Sequence, residues 1–196
     1  IHHKKFYLSG TMVGAGQVYF DAGETVSSFD EEKLINNIKN INTFNFQGTT
    51  KCPGLIHKDT WNKVGGWSEE FSPTGGDDTD FAMKLWNLNV RIFKGLGKSL
   101  AYHFGSITTR KKDKSLFTYL GSRGNKIFLL KWGMSINFFE KFYLKSGLDK
   151  NKKLIFNKFE EPLTGPIKNT SYYLEFLINK ILWLYLFIKR KKYKNN

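Results

Sequence analysis

Cysteine is almost missing from this chain. Cys52 stands alone among 196 residues, which excludes an internal disulfide and any cysteine-built metal cluster. A lone thiol fits a reducing compartment. Acidic residues are scarce in one half only. Residues 1–100 set 11 basic against 11 acidic side chains, while residues 101–196 set 20 against 6 and carry the whole net charge of +14. A balanced half followed by a basic half points the second toward something anionic: nucleic acid, a membrane surface or a phosphorylated substrate. A secretory leader is not visible, because Ile1-His2-His3-Lys4-Lys5 leads into an alternating stretch without an apolar core. With no initiator Met or polar lead-in either, the sequence is expected to start inside a domain.

Apolar residues, by contrast, are plentiful. They make up 40% of the chain, aromatics 16% with 18 Phe, enough to fill one core and to exclude wholesale disorder. Phe6 to Val13 alternates loosely and predicts a strand ended by Gly14-Ala15-Gly16. Asp30 is placed to cap a helix over 31–41 whose Leu34, Ile35, Ile38 and Ile41 form one stripe. Phe44 to Gln47 predicts a further strand, Cys52-Pro53-Gly54 a turn, and Leu55-Ile56 a buried strand end. Asp59 opens a helical turn that stops at Gly65-Gly66. Phe81, Leu85 and Leu88 share a helix face, and Val90–Phe93 and Leu100–Phe104 read as two strands. Residues 115–132 predict a helix weakened by Gly121 and Gly124.

The C-terminal third divides further. Residues 144–170 are polar, hold two of the four prolines and predict a linker or irregular wrap. Ser171 to Ile188 predicts an apolar helix of about 27 Å at 1.5 Å per residue, followed by Lys189-Arg190-Lys191-Lys192-Tyr193-Lys194. Glu175, Asn179 and Lys180 interrupt it, and the unbroken run Ile181–Ile188 is far short of the roughly 20 residues that span a bilayer. An interfacial amphipathic helix is the reading favoured here, since Lys and Arg near anionic lipid contribute about 1 kcal/mol each. The alternative is a helix docked on its own domain with a solvated tail.

Chemistry concentrates in residues 52–110. Asp77, Asp78 and Asp80 crowd three mutually repelling carboxylates into a helix's first turn, directly after Gly75-Gly76. One Asp would suffice as an N-cap worth about 1 kcal/mol. A carboxylate at a helix start beside a glycine loop suits a general base acting on a hydroxyl, because glycine lets a bulky ligand approach the backbone.

The order Pro53-Gly54-Leu55-Ile56-His57-Lys58, Val64-Gly65-Gly66-Trp67, Glu70-Phe71 and Gly76-Asp77-Asp78-Thr79-Asp80-Phe81 resembles the acceptor half of family 2 glycosyltransferases. Tyr102-His103-Phe104-Gly105-Ser106 and Lys131-Trp132-Gly133 extend the likeness, which covers about residues 1–133. Asp77 departs from the family's usual Glu. The resemblance implies an α/β fold, a partial GT-A domain with a Rossmann-like mixed sheet and flanking helices over 1–133. A linker or wrapping extension over 134–170 and the C-terminal amphipathic helix with its basic tail over 171–196 would follow.

It further implies an inverting hexosyltransferase-like enzyme of polysaccharide biosynthesis. Such an enzyme takes sugar from a nucleotide-sugar donor to a glycan or lipid-linked acceptor. Asp78 would be the catalytic base and Asp77 would shape the acceptor pocket. Gly75, Gly76, Asp80, Arg110, Arg123 and Trp132 would line the substrate site. The alternative for Asp80 is to orient the helix turn alone. Trp67 would stack on a sugar face or else fill the core. His103 would ligate a divalent metal (Mn or Mg), touch the donor phosphate, or be a strand-end histidine bonded to backbone. Arg110, Lys111, Lys112 and Arg123 would stabilise the leaving diphosphate, grip an anionic acceptor, or form a solvated basic face.

The family's metal-binding Asp-x-Asp and its nucleotide strands have no counterpart before residue 52. The expectation is therefore a fragment, inactive alone, cytoplasmic and peripheral on the cytoplasmic membrane face. The competing class is a non-catalytic basic module for nucleic acid or a membrane surface. Against nucleic acid stand the missing zinc-finger spacing and RNA-recognition motif, and the gathering of basic residues near an apolar tail.

Overall fold

The computed structural model describes residues 5–14, 16–41, 43–51, 53–72, 75–104, 123–148, 154–160 and 162–194. They form a mixed α/β structure. A four-stranded sheet runs in the order β2-β4-β1-β3, with β1 at Phe6–Gly14, β2 at Phe46–Gln47, β3 at Gly54–Leu55 and β4 at Ile92–His103. The two long strands, β1 and β4, pair in parallel from Phe6–Ile92 to Gly14–His103. Parallel neighbours need a crossover of a dozen or more residues. Helices α2 (Lys58–Val64) and α3 (Asp77–Asn87) supply it. The short strands β2 and β3 lie antiparallel on the outer edges.

The alternation of β1 turns Tyr7, Ser9, Thr11 and Val13 inward. The two strands expected at 90–93 and 100–104 are one 12-residue strand, β4. Its pairing with β1 jumps from Gly10–Leu96 to Thr11–Leu100, so residues 97–99 form a bulge. Just before the bulge, glycine makes room for a ring. A Cβ on Gly95 would lie 2.0 Å from the Phe46 ring, which crosses over it.

The core joins Tyr7 and Phe93 of the sheet to Phe81, Leu85 and Trp86 of α3, and beyond them to Phe128 and Phe139. Phe128 belongs to α4 (Arg123–Trp132) and Phe139 to α5 (Ile136–Phe142). Helix α5 had no counterpart among the sequence expectations. Its Phe138, Phe139 and Phe142 are buried, so the stretch read as a linker contributes to the core; beyond it β5 (Gly147–Leu148) pairs antiparallel with β6 (Leu154–Ile155).

Two expectations are corrected. Helix α1 (Glu31–Asn37), capped by Asp30 through the Lys33 N–H, buries no residue, and its Ile35 is 57% exposed. Its apolar stripe is real in spacing but uncovered by the described residues. Leu55 is 60% exposed, because β3 is an edge strand of two residues rather than an inner one.

Helix α6 spans Thr170–Lys194, 25 residues, longer than its apolar core. It lies on α4 and α5 through Tyr172, Phe176, Asn179, Trp183 and Leu186. Tyr172 and Phe176 join Phe138 and Phe142 in a second aromatic cluster. Asn179 Oδ1 accepts the Ser135 N–H at 2.5 Å, and the Trp183 indole donates to the Leu130 carbonyl at 3.1 Å.

Candidate active site

The acidic turn is built by two glycine-dependent loops. The first ends α2: Gly65 has φ of 72° and its N–H reaches back to the Trp61 and Asn62 carbonyls. Trp67 follows and packs on Phe81 with ring centroids 4.6 Å apart, half-buried beside Trp61. The second loop turns through Gly75 (φ 74°) and Gly76 (φ 97°), left-handed values costly to residues bearing a Cβ. Gly76 is the N-cap of α3 and offers no side chain to it. Asp77, Asp78 and Asp80 then fill the first turn, where the helix dipole favours negative charge.

These three carboxylates have different surroundings. Asp80 is fully buried. Its Oδ1 accepts the Trp132 indole N–H at 2.7 Å and lies 3.0 Å from Lys131 Nζ. Its Oδ2 accepts the Ser68 hydroxyl at 2.6 Å, with Lys84 Nζ at 3.8 Å. Four partners compensate the cost of burying this charge. Asp77 and Asp78 are half-buried at the helix start, and Asp78 Oδ2 sits 3.9 Å from Lys51 Nζ.

Behind them lies an acid that the sequence motifs do not mark. Glu140, on α5, is 9% exposed and accepts the Thr79 hydroxyl at 3.2 Å. Burial holds its carboxyl above the ordinary range, and the nearby Asp78 charge adds to the rise. Lys51 and the Thr79 hydrogen bond pull the other way. The available signal was a single acid inside the otherwise aromatic stretch Phe138-Phe139-Glu140-Lys141-Phe142.

Lys131 ties the neighbouring segment together. It lies 2.6 Å from Glu70 and donates to Ser68 at 3.1 Å. Burial alone would lower its pKa, but the hydrogen bonds to Glu70 and Asp80 and their charges carry it above its ordinary value. Arg123, at the start of α4, is exposed and donates to the Ser72 carbonyl at 2.8 Å.

The structure thus brings together Trp67, Gly75, Gly76, Asp77, Asp78, Asp80, Arg123 and Trp132 around the first turn of α3. The polar ends of Trp132 and Asp80 face each other. His103 stands apart, half-buried at the end of β4 and paired in register with Gly14. Among the described residues no group of three His, Cys, Asp or Glu side chains converges as a metal site. Arg110, Lys111 and Lys112 lie outside the described residues. A cleft of about 470 Å³ opens elsewhere, beside the β4 bulge, lined by residues 43–45 and 96–99, none of them acidic.

No protein-family model, curated protein or solved structure matches the chain. A functional reading therefore rests on the residues and their placement.

Proposed function

We propose that this chain is the acceptor side of an inverting, family 2-like glycosyltransferase of GT-A type, with Asp78 as general base. One observation carries the reading: the acidic turn divides its labour. Asp80 is locked into the core by Trp132, Ser68, Lys131 and Lys84, so the helix start is anchored, while Asp77 and Asp78 stay half-buried beside a left-handed glycine pair, Asp78 with Lys51 Nζ at 3.9 Å. A cap alone requires one such residue, and here the N-cap position is a glycine.

In this mechanism Asp78 accepts the proton of an acceptor hydroxyl as that oxygen attacks the donor's anomeric carbon. The bond to the nucleoside diphosphate breaks on the opposite face, and configuration inverts. Asp77 would shape the acceptor pocket, whereas Trp67 packs on Phe81 and Trp61. Trp132 acts from behind, through Asp80, as a positioning residue. A divalent ion would neutralise the donor's diphosphate, but among the described residues no group of three His, Cys, Asp or Glu side chains converges to hold one. No step is assigned to a metal on this chain.

The test is Asp78→Asn in the full-length protein carrying this chain, assayed for transfer from nucleotide-sugar donors to glycan and lipid-linked acceptors. A lost general base should lower kcat by about 10²- to 10⁴-fold with the fold intact. Transfer at a near wild-type rate would overturn the assignment.

A further inference from the structure

Helix α6 has two apolar faces. The inner one, Tyr172, Phe176, Asn179, Trp183 and Leu186, repeats at i, i+4, i+7, i+11 and i+14 and rests on α4 and α5. The outer one is uncovered. Tyr173, Leu174, Leu177, Ile178, Ile181 and Leu184 are each 47 to 61% exposed, and Tyr185 and Ile188 continue the row. At 3.6 residues per turn these eight fall within an arc of roughly 140°, opposite the inner face. No acid interrupts it. Glu175 points aside and is held by Lys141 at 2.5 Å. An exposed apolar patch of this extent, well beyond the scattered single residues of an ordinary surface, marks an interaction site.

The charge beside the patch selects its occupant. The helix runs directly into Lys189-Arg190-Lys191-Lys192-Tyr193-Lys194, five basic residues, at the end of the half that carries the +14. Apolar side chains flanked by clustered Lys and Arg match a bilayer whose headgroups are anionic. By length and composition 170–190 would also pass as a membrane span, with mean hydropathy 1.2. The inner face forbids it. Asn179 is buried and bonded to Ser135, and Trp183 to Leu130, so a helix crossing the membrane would have to abandon both bonds and the aromatic cluster.

We propose that the outer face of α6 docks this chain onto an anionic membrane, with the helix lying parallel to the bilayer plane and its inner face still packed on α4 and α5. The inference is independent of the glycosyltransferase reading, and its test involves no sugar transfer.

The whole chain is floated with vesicles of phosphatidylcholine containing phosphatidylglycerol, and with phosphatidylcholine alone. Binding is expected to the anionic vesicles, to weaken with salt, and to fall about tenfold or more in Leu177→Glu/Ile181→Glu. Circular dichroism checks that this variant stays folded, its positions being exposed. Replacing the basic residues 189–192 by Gln should abolish the preference for anionic lipid.

Orientation is read by depth-dependent quenching of probes on Tyr173→Cys, Ile181→Cys and Ile188→Cys in a Cys52→Ser background. Equal, shallow depths at the three sites support the parallel arrangement. A probe at 181 deeper by about 12 Å, the rise of eight helical residues, would mean spanning and overturn it. Folded chain that ignores anionic vesicles would overturn it too. So would a concentration-dependent dimer that the double Glu variant dissolves while vesicle binding is absent, assigning the face to a second copy.

Discussion

The Trp132 indole donates a 2.7 Å hydrogen bond to Oδ1 of Asp80, a carboxylate with no solvent exposure. The bond links the last residue of α4 to the first turn of α3 and holds the acidic turn from inside.

Removing either end should cost stability unequally. Asp80→Ala strands Lys131 and Trp132 and is expected to destabilise by about 3–5 kcal/mol. Trp132→Phe leaves Asp80 its bonds to Ser68 and Lys131 and should cost about 1–3 kcal/mol. Urea unfolding of the chain reads both, and an equal loss would mean that Asp80 is not the hub. The Lys131 contribution carries its own signature. Because its pKa is raised on folding, that stability is fully present below the ordinary value of 10.5 and is lost as pH climbs through the higher folded value.

Glu140 predicts a different pH response. Its folded pKa lies above the ordinary 4.5, so the native state holds the proton more tightly than the unfolded chain does. Stability should therefore decline as pH rises from about the ordinary carboxyl range to the folded value. Glu140→Gln, which keeps an acceptor for Thr79, should raise the unfolding midpoint at neutral pH and flatten that decline. Lys51→Met removes an opposing charge and should extend the decline to higher pH. Unfolding midpoints collected across acid to neutral pH decide it.

Gly76→Ala tests the loop before the acids. Its φ of 97° and a Phe71 ring carbon 3.2 Å from the added Cβ make substitution strained, whereas at Gly75 the Cβ meets open space. Gly76→Ala should cost more than Gly75→Ala, for which about 1–2 kcal/mol of left-handed strain is expected. Thermal unfolding compares them.

Asn179→Ala tests the seat of α6. It leaves the half-buried Ser135 N–H without its acceptor and should destabilise by about 1 kcal/mol. Limited proteolysis should then cut near residue 170 sooner than in the parent chain. Unchanged cleavage and stability would show that the helix is held by its aromatics alone.

Much of this arrangement was legible in the sequence. The Asp30 cap, the Gly65-Gly66 stop and the acidic opening of α3 are local signals, and local signals survive into the fold. What depends on distant partners was not legible. Asp80 reads like its neighbours Asp77 and Asp78, and partners such as Ser68 and Trp132, 12 and 52 positions away, make it a core group. The continuity of β4 was not legible either, because Gly95 lies under the Phe46 ring and Gly97 under the Phe44 backbone, both distant in sequence. Helix α5 is seven residues long, with Phe138, Phe139 and Phe142 on one side, and two turns are too few for an amphipathic period to stand out.

Leu130, Lys131 and Trp132 are consecutive, yet the first accepts from the C-terminal helix and the other two grip Asp80. The final helix is thereby mechanically in series with the acidic turn, separated from it by a single turn of α4. A deletion that stops short of Thr170 would accordingly do more than untether the protein: it would remove the buttress behind Trp132 and slacken the carboxylates at the far end of the linkage.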